Sequence, residues 1–216
     1  MEIDDTEEEQ VAALKDWWKG NGTSVISGIV MAIIAVGGWS LWHSYQQDKM
    51  NRASSLYEQI IKAEAASQIE SVDEIANKLN TNYNSTAYAS YALLFAAKAK
   101  VEQQDLVAAK EQLQLAVATS NDAEITHVAR TRLIRVLLAL QEYEQGLGLI
   151  ADVDQSSLGG FGAIYDELKG DLYVAMGRVG EARTAYLAAL SVGQSSSPLL
   201  QFKLDDLTSS DSAGAL

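Results

Sequence analysis

The sequence predicts an all-α protein: a single transmembrane helix followed by an α-solenoid of stacked helical pairs. Two observations predict it. Positions 20 to 47 carry no Asp, Glu, Lys or Arg, and small and aromatic residues recur at fixed helical positions in the carboxy-terminal half. A third narrows the class: no stretch sustains the period-two alternation of a half-buried strand.

Residues 1–22 read as an acidic tail, with seven acids (Glu2, Asp4, Asp5, Glu7, Glu8, Glu9, Asp16) against Lys15 and Lys19. The whole chain carries a formal net charge of -13. Such a surface repels phosphate backbones and anionic headgroups, which argues against nucleic-acid binding and against attachment to lipid through a basic patch.

Residues 23–45 are expected to form the span, since about 20 apolar residues cross a bilayer. A cleaved secretory signal needs a basic start, and this start is long and acidic. Trp17 and Trp18 on one side and Trp39, Trp42 and Tyr45 on the other place aromatic rings at both ends, where headgroups favour them. Ser24, Gly28 and Ala32 recur every four residues and define a face on which another helix could pack in the membrane. The flanking basic residues, Lys15 and Lys19 against Lys49, Arg52 and Lys62, do not set the orientation.

Residues 46–207 read as the helical domain. The first helix is expected to continue to about Ala66 with Ala53, Leu56, Tyr57, Ile60 and Ile61 on one face. A second is expected after Ser71, with Glu74 at the capping-box position. "GDLYVAMGRVGEARTAYLAAL" places Gly170, Tyr173, Gly177, Ala182, Tyr186 and Ala189 at the spacing of a tetratricopeptide unit. Weaker copies put Ala109, Leu113 and Ala116, then Gly146, Ile150 and Val153, in the same register. The steps from Ala109 to Gly146 to Ala182 are 37 and 36 residues, against roughly 34 in the standard unit. Three units result, with the pair before Asn84 as an amino-terminal cap. "SPLLQFKLDDL" is expected to form the other cap, with Ser197 at the N-cap and Pro198 at the first helical position. Residues 208–216 are expected to be a disordered tail.

A solenoid of this kind presents a concave surface from the first helix of each pair. The register assigns to it Tyr91, Leu94, Lys98 and Val101, then Val128, Thr131, Arg135 and Leu138, then Ile164, Glu167, Asp171 and Val174. This reads as a mixed groove with apolar content, suited to apolar segments or a partner helix, and not as a basic cluster. With no cysteine and only His43 and His127, the chain shows no catalytic, metal or cofactor motif, so a non-enzymatic protein is expected.

The opening "EEEQVAALKDWWKGNG", the span end "WSLWHSYQ" and the domain that follows resemble the YfgM family, the ancillary subunit of the bacterial Sec translocon. Gln10, Val11, Lys15, Trp17, Trp18, Asn21 and Gly22 carry the most specific part of the resemblance. It implies a single-pass type II protein of the bacterial inner membrane, with a cytoplasmic tail and the carboxy-terminal domain in the periplasm. It implies as partners the Sec translocon, a membrane-anchored periplasmic chaperone of the prolyl-isomerase type and exported client proteins, and it brings no catalytic residues. A general scaffold for another cell-envelope assembly would carry the same anchor and solenoid.

Overall fold

The computed structural model describes residues 4–192 and 198–213 and is all-α among them. It divides into two units, residues 1–51 and 52–216. The helix α1 (Asp4–Ala65) contributes to both. It is followed by α2 (Ile69–Tyr83), α3 (Ala87–Glu102), α4 (Leu106–Thr119), α5 (Ala123–Ala139), α6 (Tyr143–Ala151), two short 3-10 turns, α7 (Gly162–Ala175), α8 (Val179–Val192) and α9 (Pro198–Ala213).

In the first unit the apolar run is helical and its large side chains face outward throughout. Met31 is 72% exposed and Leu41 75%, and Trp39 and Trp42 stand together with ring centroids 5.7 Å apart. A helix serving as a soluble core would be buried, and this stretch is 0% buried. Its apolar surface therefore needs an apolar medium, and it is the one helix among the described residues long and apolar enough to cross a membrane.

The second unit is a succession of helical pairs, each closed by the same turn. Ser67, Gln104, Gln141 and Gly177 all have positive φ, between 55° and 72°. At each, the following amide bonds back five residues, Gln68 N to Ala63 O, Asp105 N to Lys100 O, Glu142 N to Leu137 O and Arg178 N to Tyr173 O. The left-handed residue's own amide bonds back three, to Glu64, Val101, Leu138 and Val174. This is the Schellman arrangement, which satisfies carbonyls that the helix end leaves without partners. The intervals between these turns are 37, 37 and 36 residues, the period read from the sequence.

The turn at Ser67 shows that the segment before Asn84 is itself a pair of the repeat, where the sequence suggested a cap. Five residues after each turn stands a buried residue, Val72, Ala109, Gly146 and Ala182. α2 starts at Ile69 with Gln68 before it and makes no side-chain cap bond. Ser71 thus lies inside the first turn instead of capping it, because the preceding Schellman bonds already fix where the new helix begins.

In three of the four pairs, the residue seven before the turn and the one nine after it share one region of the core, and their sizes compensate. Ile60 is matched by Ala76, Ala97 by Leu113 and Gly170 by Tyr186, each couple within one region of the core. Ile134 and Ile150 form the exception, with Ile134 fully buried and Ile150 packed beside it. Near-constant volume in a close-packed interior lets one pair geometry recur with different side chains. In the first pair Ala53, Leu56, Ile60 and Ala63 face inward. Ile61, expected on this face, is exposed, since the spacing 53, 56, 60, 63 points it away.

Two further expectations concern the end of the chain. Ser197 lies outside the described residues, while Pro198 does begin α9. Helical backbone runs on to Ala213, against the disordered tail expected from 208. No Pro or Gly stands between Pro198 and Gly214, so weak helix formers simply extend the turn before them.

Gly170 is the tightest of these matches. A Cβ there would lie 2.2 Å from Cε1 of Tyr186, whereas one at Gly148 meets nothing within 4 Å. Gly170→Ala should destabilise the domain by about 1–3 kcal/mol through overpacking. Gly148→Ala should stabilise it by up to about 1 kcal/mol, the helix-propensity gain alone. Urea denaturation of the two variants beside the parent checks the opposite signs.

Candidate protein-binding groove

The groove is built on α3 and α5, the first helices of two successive pairs. Asp105 and Asp122 fix the elements around it, Asp105 Oδ1 accepting from Ala108 N and Asp122 Oδ1 from Glu124 N and Ile125 N. Leu94, Leu113 and Val136 are buried in the core shared by these helices. Their outward edges floor a cavity of about 330 Å³ with Ala97, Val101, Leu106 and Ala139. Its other lining residues are Lys98, Arg132 and Arg135. A second cavity of about 390 Å³ adjoins it through Leu94, Lys98 and Arg132, and adds Tyr57, Tyr91, Phe95, Val128, Asp122 and Glu124.

Six expected groove residues therefore come together here: Tyr91, Leu94, Lys98, Val101, Val128 and Arg135. Lys98 is tied to Glu64 and lies 3.6 Å from Glu102, and the bond to Glu64 raises its pKa. Arg132 was not among the expected residues. It stands three positions before Arg135 in "ARTRLIRV", on the same helical flank. A register that admits only one face per turn misses it because the cavity is lined by a wider arc of α5 than one residue per turn. The first cavity thus holds three cations and no acid, where the sequence suggested a mixed and not basic groove.

The remaining expected residues are elsewhere. Thr131 is buried, its hydroxyl donating to Val128 O. Leu138 and Ile164 pack into the core between α5 and α7. Val174 is exposed. Glu167 and Asp171 are not open groove groups: Lys203 of α9 donates to Glu167 Oε1 at 2.7 Å and to Asp171 Oδ1 and Oδ2 at 2.7 and 2.9 Å. The two acids lie one turn apart on α7, and the chain closes over them with its own lysine. The Tyr186 hydroxyl also donates to Asp171 Oδ1, at 2.7 Å. Burial and that bond push the Tyr186 pKa far above its ordinary value, so the hydroxyl stays a donor.

Ser24, Gly28 and Ala32 line one exposed face of α1, and a Cβ at Gly28 would meet nothing within 4 Å. His127 is a structural residue. It is buried, stacks on Phe161 at 5.0 Å, and has both ring nitrogens engaged, Nδ1 with Tyr165 Oη at 2.9 Å and Nε2 with Ser157 O at 3.0 Å. A carbonyl can only accept, so Nε2 carries the proton and the tyrosine hydroxyl donates to Nδ1. These bonds pin the 3-10 turns to α5. Among the described residues no cluster of His, Cys, Asp or Glu could hold a metal ion.

Comparison with known proteins gives a consistent picture. The tetratricopeptide repeat-like domain family matches residues 15–209. A protein of Haemophilus influenzae is 31% identical over 202 residues, covering 93% of this chain and 97% of its own length. One from Aggregatibacter actinomycetemcomitans is 32% identical over 205 residues with the same coverage. One from Escherichia coli is 28% identical over 210 residues, 96% of this chain and 100% of its own. Each of the three is described as an ancillary SecYEG translocon subunit.

The Lys203 bonds generate a stability prediction. Burial lowers the lysine pKa, but Asp171 and Glu167 outweigh it and hold the value above 10.5. A lysine raised in the folded state contributes fully below the unfolded value and loses that contribution as pH climbs through the folded one. The lysine's share of the α9 contact should therefore be insensitive to pH across the neutral range and be lost in strong alkali. Lys203→Met, which strands two part-buried carboxylates, should cost about 1–3 kcal/mol at pH 7, with Lys203→Arg losing less. Denaturant midpoints of both variants measure it.

Proposed function

The chain belongs to the tetratricopeptide repeat-like family of ancillary SecYEG translocon subunits, and from that membership we propose that it is a non-enzymatic interaction subunit of the Sec translocon. Its exposed apolar helix anchors it in the bacterial inner membrane as a single-pass type II protein, with the solenoid in the periplasm. There it helps pass exported proteins to periplasmic chaperones, among them a membrane-anchored one of the prolyl-isomerase type.

The observation that carries this reading is the pairing, in one chain, of an apolar helix that the chain's own described residues leave exposed with an open groove between α3 and α5. A helical-repeat groove suits extended or helical segments of other proteins, and the anchor holds it at a membrane surface. The face of Ser24, Gly28 and Ala32 gives the anchor a place to meet a translocon helix closely.

Two measurements test it. Alkaline phosphatase fused after Leu216 should be active and a cytoplasmic reporter at the same place silent; the reverse pattern ends the reading. Purification of the chain in mild detergent should bring translocon subunits and a periplasmic chaperone with it. Recovery of a different envelope assembly in their place would assign the same scaffold to another machine.

A further inference from the structure

We propose that the cavity between α3 and α5 selects peptide segments in which a carboxylate side chain stands beside bulky aliphatic residues, gripping the carboxylate with Arg132 and Arg135. This deepens the interaction role proposed above, and rests on it for the ligand's being a polypeptide.

The chain is strongly acidic, and several of its cations are already neutralised: Lys98 by Glu64, Lys100 by Asp73, Lys110 by Glu142, Arg178 by Glu181 and Lys203 by two acids. Arg132 and Arg135 depart from this pattern. Both are exposed, both line the same cavity, and neither makes a hydrogen bond or ion pair among the described residues. They lie three residues apart on α5, which puts their guanidinium groups on one flank. Planar forks of N–H donors match carboxylates, and they do so best where apolar walls thin the surrounding water.

The walls meet that condition. Leu94, Val101, Leu106 and Val136 offer aliphatic surface directly beside the two arginines. A ligand that satisfies both features has a carboxylate next to aliphatic side chains. A polyphosphate or nucleic-acid backbone does not, since it has nothing to bury on the floor and meets the repulsion of a chain with net charge -13. The adjoining cavity supplies the direction of binding. It carries Asp122 and Glu124 at the amino-terminal start of α5, more than two turns before Arg132 and Arg135, so acidic residues of a bound segment are held at the Arg135 end and excluded from the other.

The test uses the full chain in detergent micelles and three fluorescent dodecapeptides of Leu and Val with two interior Glu, two Gln or two Lys. Fluorescence anisotropy should rank them Glu, Gln, Lys, with the Glu peptide on the order of tenfold tighter than the Gln peptide and losing that advantage as salt rises. Arg132→Gln with Arg135→Gln should bring the Glu peptide down to the Gln value and leave the Gln peptide unchanged. Arg132→Glu with Arg135→Glu should reverse the ranking in favour of Lys, a gain that an unfolded protein cannot produce. Equal binding of the three peptides overturns the proposal, as does a Glu preference that survives the double Gln exchange. Laurate displacing the Glu peptide and binding more tightly than it also overturns it, assigning the cavity to a fatty acid. A chain that fails to recover translocon subunits yet keeps the peptide ranking defeats the translocon role and not this one.

Discussion

Every pair in this solenoid depends on one residue being held in the left-handed conformation at the end of its first helix. That turn fixes where the second helix starts, and with it which side chains meet across the pair. Three of the four positions carry ordinary side chains, Ser67, Gln104 and Gln141, and only the last carries Gly177. A non-glycine residue there costs about 1–2 kcal/mol of backbone energy. Two backbone hydrogen bonds per turn and the burial of the residue five positions on offset it, so the constraint is met by tertiary packing and not by local preference.

This explains what the sequence disclosed and what it concealed. The last pair announced itself because Gly177 and Gly170 satisfy backbone and packing demands that few residues other than glycine can meet, and because Tyr186 needs the space Gly170 leaves. The middle pairs were legible through Ala109 and Gly146, small residues forced by close approach. The first pair was not, because its turn is serine and its buried position is Val72, neither of which stands out in a linear reading. Ser71 misled for a related reason: its spacing to Glu74 is that of a capping box, but the helix had already been started by the bonds around Ser67.

The groove shows a similar division. A register derived from one helix at a time gathers Tyr91, Leu94, Lys98, Val101, Val128 and Arg135, which line the two adjoining cavities because helical periodicity puts them on the same flanks of α3 and α5. It fails where the answer depends on a different element. Glu167 and Asp171 sit at the expected positions of α7, yet Lys203, more than thirty residues away, takes both. Arg132 lies just off the expected face, one turn before Arg135, and lines the cavity with it. Helical phase is local and therefore readable, whereas occupancy of a face by a later helix is a property of the assembled stack.

The same stacking separates two uses of charge in an acidic protein. Toward the carboxy-terminal end, cation and acids close on each other, and α9 is fastened by a lysine that its partners keep charged across the neutral range. Between α3 and α5, two guanidiniums are left without acids above an apolar floor. A site of that kind binds weakly, since exposed charges gain little in water and salt screens them. Under the proposed role weakness is no defect. A groove tethered by a membrane anchor meets segments emerging nearby at an effective concentration in the millimolar range. Capture is then frequent without being long-lived, and a segment released quickly remains available to whatever folds it next. An apolar site without the arginines would hold any sticky segment; the arginines add a requirement for charge, and so make the transient hold selective.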